Sequence, residues 1–269
     1  MKSLILLLVA MPLAAQSAWV PWVDLDLNGA VAPDGLQVAG AYGWRRTLAG
    51  PATDPAAYLQ AGALASVTPA YGNAGMFVEW QPAPFLVLRV EQAAIRNFGQ
   101  WGSLLSFESS AAPFGDGAIK ARKGTEERAW GARTLLQMTP QVQVGQVVLR
   151  HRATLGWWRL GGRGPWLFEY ENDLLLQPRD RTRDFQTFAL WASALAAGKL
   201  YSGGTWQVTQ GLGGHLRRRR LGLTAAFEGN AGRWGSPRAG LIVGRNQEDR
   251  NRQGSIYAVA SVGTSFSLR

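Results

Sequence analysis

Two histidines, His151 and His215, are the residues of this 269-residue chain of the type that most often serves as a general base, and there is no cysteine. Nucleophilic catalysis needs such a base beside a hydroxyl, with a third group to orient it. In HRAT, residues 151–154, Ala153 stands where a nearby serine would have to be, so no short His-x-Ser arrangement exists. His215 leads into Leu216 and four arginines. Both histidines therefore read as packing or interface residues. With no cysteine and no two histidines at ligand spacing, neither a metal site nor a cofactor is implied.

The remaining chemistry is charge pairing. WLFEYENDLLLQ, residues 166–177, carries Glu169, Glu171 and Asp173 at every second position, among Trp166, Phe168, Tyr170, Leu174 and Leu176. Read as a strand, it has one anionic face and one apolar face. Upstream, Arg150 and Arg152 share a face with Val148. A hairpin centred on Gly161–Gly162 would set Arg152 opposite Glu171 and Arg150 opposite Asp173. The same sign pairing recurs where Glu79 approaches Arg89 and Glu91. Asp24, Asp26, Arg45, Arg133, Arg220 and Glu228 fall on the polar faces of their own segments. In HLRRRRLG, Arg217, Arg218 and Arg219 have two readings, a solvated turn or a contact for lipid phosphates, which suit the arginine fork. Glu126 and Glu127 read as solvated loop charges. A strand-rich chain with no recognition helix and no aromatic-basic groove offers nothing to nucleic acid, despite a formal charge of +10.

Alternating segments of about ten residues, separated by Gly, Pro, Asp and Asn, would position these groups. They are 22–31, 36–46, 57–67, 72–80, 85–95, 129–138, 141–158, 166–177, 185–196, 199–211, 216–228, 238–247 and 255–268. The turns include APDG, QPAP and a Thr139-Pro140 break. Residues 97–128 interrupt the rhythm as a long loop, with short strands of their own near 103–109. The count is thirteen, whereas a closed barrel with both ends on one side needs an even number. Twelve strands is the expectation, with 57–67 or 199–211 as the false segment, and fourteen the alternative if the long loop hides a strand.

A soluble sandwich also alternates. Here Trp44, Trp80, Trp130, Trp157, Trp158, Trp166 and Trp206 fall near segment ends, which suits membrane-interface belts. With 12 Trp, 33 Gly and only 17% charged residues, the composition suits a wall that meets lipid. No stretch beyond the N-terminus approaches 18 apolar residues, so helical spans are excluded. MKSLILLLVAMPLAAQS, residues 1–17, has the basic start, apolar centre and small-x-small end of a cleaved signal peptide.

The closing SVGTSFSLR resembles the assembly signal of bacterial outer-membrane β-barrels, an alternating last strand with an aromatic near its end, although Leu268 and Arg269 follow Phe266. The expectation is an all-β, antiparallel transmembrane barrel over residues 18–269, exported to the outer membrane. Its partners would be outer-membrane lipid, lipopolysaccharide and the barrel-assembly machinery. Asp24, Asp26, Arg45, Glu79, Arg89, Glu91, Arg133, Arg150, Arg152, Glu169, Glu171, Asp173, Arg220 and Glu228 would line the lumen, and the aromatics of 166–177 would face lipid. The expected function is non-enzymatic, a small-solute channel or a structural barrel. The alternatives are an outer-membrane lipid-modifying hydrolase, with a histidine beside Ser or Thr and an acid at the rim, and a soluble periplasmic β protein.

Overall fold

The computed structural model describes residues 18–31, 35–51, 55–232, 235–250 and 252–268; the expected signal peptide, residues 32–34 of the APDG turn and Arg269 lie outside them. The first strands follow the predicted alternation: β1 (Val20–Val31), β2 (Gly35–Ala49), β3 (Ala57–Val67), β4 (Tyr71–Ala83) and β5 (Leu86–Phe98). A long connection then carries β6 (Ser106–Phe107) and a short helix, α1 (Asp116–Ala121). Next come β7 (Arg128–Val144) and β8 (Val147–Arg159), and a second long connection holds β9 (Trp166–Glu169) and β10 (Leu174–Leu176). The chain finishes with β11 (Arg179–Leu195), β12 (Gly198–Gly211), β13 (Arg217–Gly229), β14 (Ser236–Glu248) and β15 (Ile256–Ser267).

Twelve of these strands pair antiparallel with their chain neighbours, and β15 closes on β1. Both ends of the chain lie at one end of the barrel, here the terminal end, together with the connections β2–β3, β4–β5, β7–β8, β11–β12 and β13–β14. The opposite loop end carries both long connections. At the terminal end, β7 and β8 meet in a two-residue turn at Gly145–Gln146, where Gly145 adopts φ +60°, open to glycine at the first position of such a hairpin turn.

The outer wall is apolar. Met76 is 72% exposed and Leu223 75% exposed, and Leu25, Val78, Leu149 and Val243 are exposed to about half their surface. In water this surface would be far larger than the patches soluble monomers tolerate, so the wall is built for lipid. Trp44, Trp80 and Trp191 stand on the outer face toward the terminal end, and Trp130 and Trp157 toward the loop end. Trp206 is also outward but nearer the middle of β12.

Four expectations change. Segments 57–67 and 199–211 are genuine wall strands, β3 and β12; the false wall strand is 166–177. Its residues fold inward as the β9–β10 hairpin, which joins β6 in a separate three-stranded sheet. Thr139-Pro140 is no turn. β7 runs through it, and the β7–β8 ladder skips these two residues, as a proline without an N–H allows. Trp158 and Trp166 leave the interface belt: Trp158 is buried with its indole N–H on Thr182, and Trp166 packs on the inner sheet.

The three-stranded sheet and the loop end of the barrel share one core. Leu104, Leu105, Phe107, Phe114, Leu167, Phe168 and Leu174–Leu176 pack against Tyr71, Ile95, Trp158 and Leu216 of the barrel's loop end. This is the largest buried apolar cluster, and it sits in the mouth as a plug.

Candidate functional site

Inward residues of β2, β3, β4, β5 and β7 form one continuous ladder across the lumen. Arg45 Nε donates to Gln60 Oε1 at 2.7 Å, and Gln60 Nε2 and Tyr58 OH each donate to Glu79 Oε1 at 2.7 Å. Arg89 bridges Glu79 and Glu91, each at 3.3 Å, with its guanidinium 4.1 Å above the Phe77 ring. Arg133 then pairs with Glu91 at 2.7 Å and with Glu171 at the plug tip. Neighbouring strands place these residues directly across from one another, Gln60 by Glu79 and Glu79 by Arg89. Alternating signs at that spacing satisfy each buried charge with the next.

A second cluster clamps the plug. Asp173, only 1% exposed, lies 3.3 Å from Arg218, 3.7 Å from Arg220 and 3.3 Å from Arg252. Arg252 also reaches Asp116 of α1 at 2.8 Å, and Arg220 donates to Asn246 at 2.9 Å. Neither carboxylate oxygen of Asp173 has hydrogen-bond geometry, so the clamp works by charge rather than by aligned bonds. Burial pushes the Asp173 carboxyl up, and Arg218, Arg252 and Arg220 oppose that push.

Glu169 organises the turn between β9 and β10. Its carboxyl accepts the backbone N–H of Glu171 at 2.9 Å and both the backbone N–H and the side-chain amide of Asn172 at 2.7 Å. Asp173, at φ +54°, completes the turn in a conformation that Asp tolerates. Burial, with the nearby charge of Glu171, pushes the Glu169 carboxyl up to about 7 despite those bonds.

The expected site residues divide as follows. Asp24 and Asp26 face the lumen and share Arg238, at 2.7 and 2.9 Å. Arg45, Glu79, Arg89, Glu91, Arg133, Arg150, Arg152, Arg220 and Glu228 are lumenal too. Glu169, Glu171 and Asp173 are inside the barrel but on the plug, and Glu169 serves its own turn rather than the lumen. The predicted pairs Arg152–Glu171 and Arg150–Asp173 do not form. β8 pairs with β11, which sets Arg152 beside Gln186 and Arg150 beside Phe188. Arg218 is no lipid contact; alternation turns it inward with Arg220, while Arg217 and Arg219 face out and share Glu248 at 3.9 and 3.4 Å. The aromatics of 166–177 meet the plug core, not lipid. Glu127 is not merely solvated, since it holds Ser106 and the Arg163 N–H and so ties the two long connections together.

Arg238 and Arg252 were missed. Arg238 stands out of phase with Leu241 and Val243, the outward residues of an alternating strand, a signal of inward placement that was present in the sequence. Arg252 lies in a short loop with no periodicity to read.

His151 lies on the outer face of β8, as alternation predicts, with Nδ1 2.9 Å from Thr187 Oγ1 and its ring stacked near Phe185. A base beside a hydroxyl is half of a nucleophilic pair, but no carboxylate appears among its described contacts. A polar ring facing hydrocarbon needs a hydrogen-bond partner, and Thr187 supplies one. Among the described residues, no group of three or more His, Asp or Glu could hold a metal ion.

Among the described residues, four adjoining cavities run along the lumen. The largest of these, about 830 Å³, opens at the terminal end and is walled by Arg150, Phe188, Leu190, Lys199, Tyr201 and Glu228, among others. One of about 410 Å³ beside the plug shares Val259 with it, and shares Gln37 and Glu171 with a third of about 350 Å³ along the ladder. The fourth, about 360 Å³, shares Pro84 and Gln141 with the largest.

An apolar outer wall, a closed cylinder and an ion-paired interior define a transmembrane β-barrel with a plugged mouth. No protein-family model and no curated protein matches the chain. Among solved structures, it is similar to the beta domain of the Bordetella autotransporter BrkA, at 13% identity and TM-score 0.49, over 93% of this chain and 100% of that one. It is also similar to an outer-membrane channel of Pseudomonas putida F1, at 11% identity and TM-score 0.45, over 94% and 96%. LpxR from Salmonella typhimurium gives 8% identity and TM-score 0.46, over 90% and 99%. At those identities and scores the likeness says nothing about activity.

Proposed function

We propose that the protein is a non-enzymatic outer-membrane barrel that passes small anionic solutes through a narrow lumen, throttled by its inward-folded plug. The observation that carries this reading is the run of adjoining cavities past the plug flank, from Val31 and Thr68 near the loop end to the opening at the terminal end. Arg150, Arg152 and Lys199 face this path and take part in no ion pair among the described residues. Unmatched cations along a confined aqueous path favour anions. A cleaved signal peptide and insertion by the barrel-assembly machinery belong to this reading, with the long connections facing outward. Arg217 and Arg219, on the outer face at the loop end, would meet headgroup phosphates, including those of lipopolysaccharide.

Planar-bilayer recording of the refolded protein tests this. The expected result is a small conductance with anion preference, weakened when Arg150 and Arg152 are both replaced by glutamine. Asp173→Asn removes the counter-charge of three arginines, a loss that costs about 3–5 kcal/mol in buried pairs, and conductance should rise as the plug loosens. Cation preference, or silence even in the Asp173→Asn protein, overturns the channel. Turnover of phospholipid or lipid A that disappears on replacing His151 overturns the non-enzymatic reading.

A further inference from the structure

The lumen is polar along the ladder, yet its terminal-end half has an apolar sector. Phe188 and Leu190 of β11, Val148 of β8, Ile242 of β14 and Val259 of β15 all turn inward there. Their placement follows the registers: Phe188 lies across from Arg150, Leu190 from Val148, and Ile242 from Val259. Passing small anions does not require a contiguous apolar wall, and such surface gains free energy when an apolar group covers it. Charge gathers beside this wall. Arg150 makes no hydrogen bond or ion pair among the described residues, and Lys199 likewise makes none. Glu228 is the opposing charge here, across from Lys199 on one side and from Arg238 on the other and bonded by the Tyr201 hydroxyl at 3.3 Å, so its charge is divided among several cations. The enclosed volume, about 830 Å³, is within the range of small-molecule sites.

We infer that this cavity binds a single-chain anionic amphiphile. Its carboxylate or phosphate sits on the Arg150 guanidinium with Lys199 nearby, and its chain lies along Phe188, Leu190, Ile242 and Val259. The fork of Arg150 suits either head group. An apolar body with a few convergent polar contacts is the ordinary composition of a ligand pocket. The opening at the terminal end admits the ligand without passage through the plug.

The test uses the full barrel in zwitterionic lipid nanodiscs, with empty discs subtracted, and equilibrium dialysis of four radiolabelled probes. Octanoate and octyl phosphate offer both head and chain, octanol the chain alone, and inorganic phosphate the charge alone. Saturable binding of the first two is expected, with octanol about tenfold weaker, the value of one charged hydrogen bond, and no uptake of phosphate. A stronger response to one head group than the other tells a free fatty acid from a phosphate-bearing lipid fragment. Arg150→Gln should weaken both anions to the octanol level and leave octanol unchanged. The double variant Phe188→Asn, Leu190→Asn should weaken octanol as well. Uptake equal to empty discs, or anion binding indifferent to Arg150→Gln in a barrel that still migrates as folded, overturns the inference. Binding without conductance would remove the channel and leave this site standing; conductance without binding would do the reverse.

Discussion

Glu169 is the plug's titrating residue. Its carboxyl is raised from an ordinary 4.5 to about 7, so the folded turn prefers the neutral form. The sign follows from linkage. Stability is full below the ordinary value, falls as pH rises past 4.5, and the loss is complete once pH exceeds about 7. Protection factors across residues 166–176, with the intrinsic pH dependence of amide exchange divided out, are therefore expected to be lower at pH 8 than at pH 5, and Glu169→Gln should flatten that difference. Equal protection at the two pH values would remove Glu169 from this role. Alternation placed the residue on a lumen-facing wall strand; its place on the inner hairpin and its service to the turn there were not legible. That depends on Asn172 and Asp173 bending the chain, where a wall strand would have continued straight.

The β9–β10 hairpin shows where element reading fails. Its acids alternate, but Leu174, Leu175 and Leu176 are consecutive and all buried. A strand with one face to lipid and one to a polar lumen cannot bury three successive side chains, whereas a strand within its own small core can. The triple leucine was the available warning. Because the wall is closed by its own strand ladders, Phe168→Ala should cost the plug about 3–5 kcal/mol and leave the barrel intact. Limited proteolysis should then cut within residues 160–178 while the barrel keeps its heat-modifiable migration. Joint loss of plug and barrel would show that the two fold as one unit. The opposite misreading, doubt over β3 and β12, has a plain cause. Ala57–Val67 and Gly198–Gly211 are rich in Ala and Gly, which carry weak alternation but pair in register all the same.

Taken whole, the molecule is inverted relative to a soluble protein, and one position decides which solvent a side chain meets. Leu223 faces out and Ala226, three residues along β13, faces in. Leu223→Arg should destabilise the barrel by about 2–4 kcal/mol, as a charge near the hydrocarbon midplane does. Ala226→Ser should change stability by no more than about 0.5 kcal/mol. Reversible denaturant unfolding into lipid vesicles measures both, and equal effects would mean that the two faces are not differently solvated.

Strand alternation and aromatic placement are local properties, and with the parity that closure demands they were enough to read an all-β barrel of about twelve strands with a lipid-facing wall, though not which segment to leave out of it. Partner choice is not local. Which arginine meets which acid depends on strand adjacency, and β8 pairs with β11 because the intervening nineteen residues, 160–178, leave the wall altogether. Folding back into the mouth buries Leu and Phe that no single strand could shelter, and that burial sends Asp173 to Arg218, Arg220 and Arg252 rather than to Arg150.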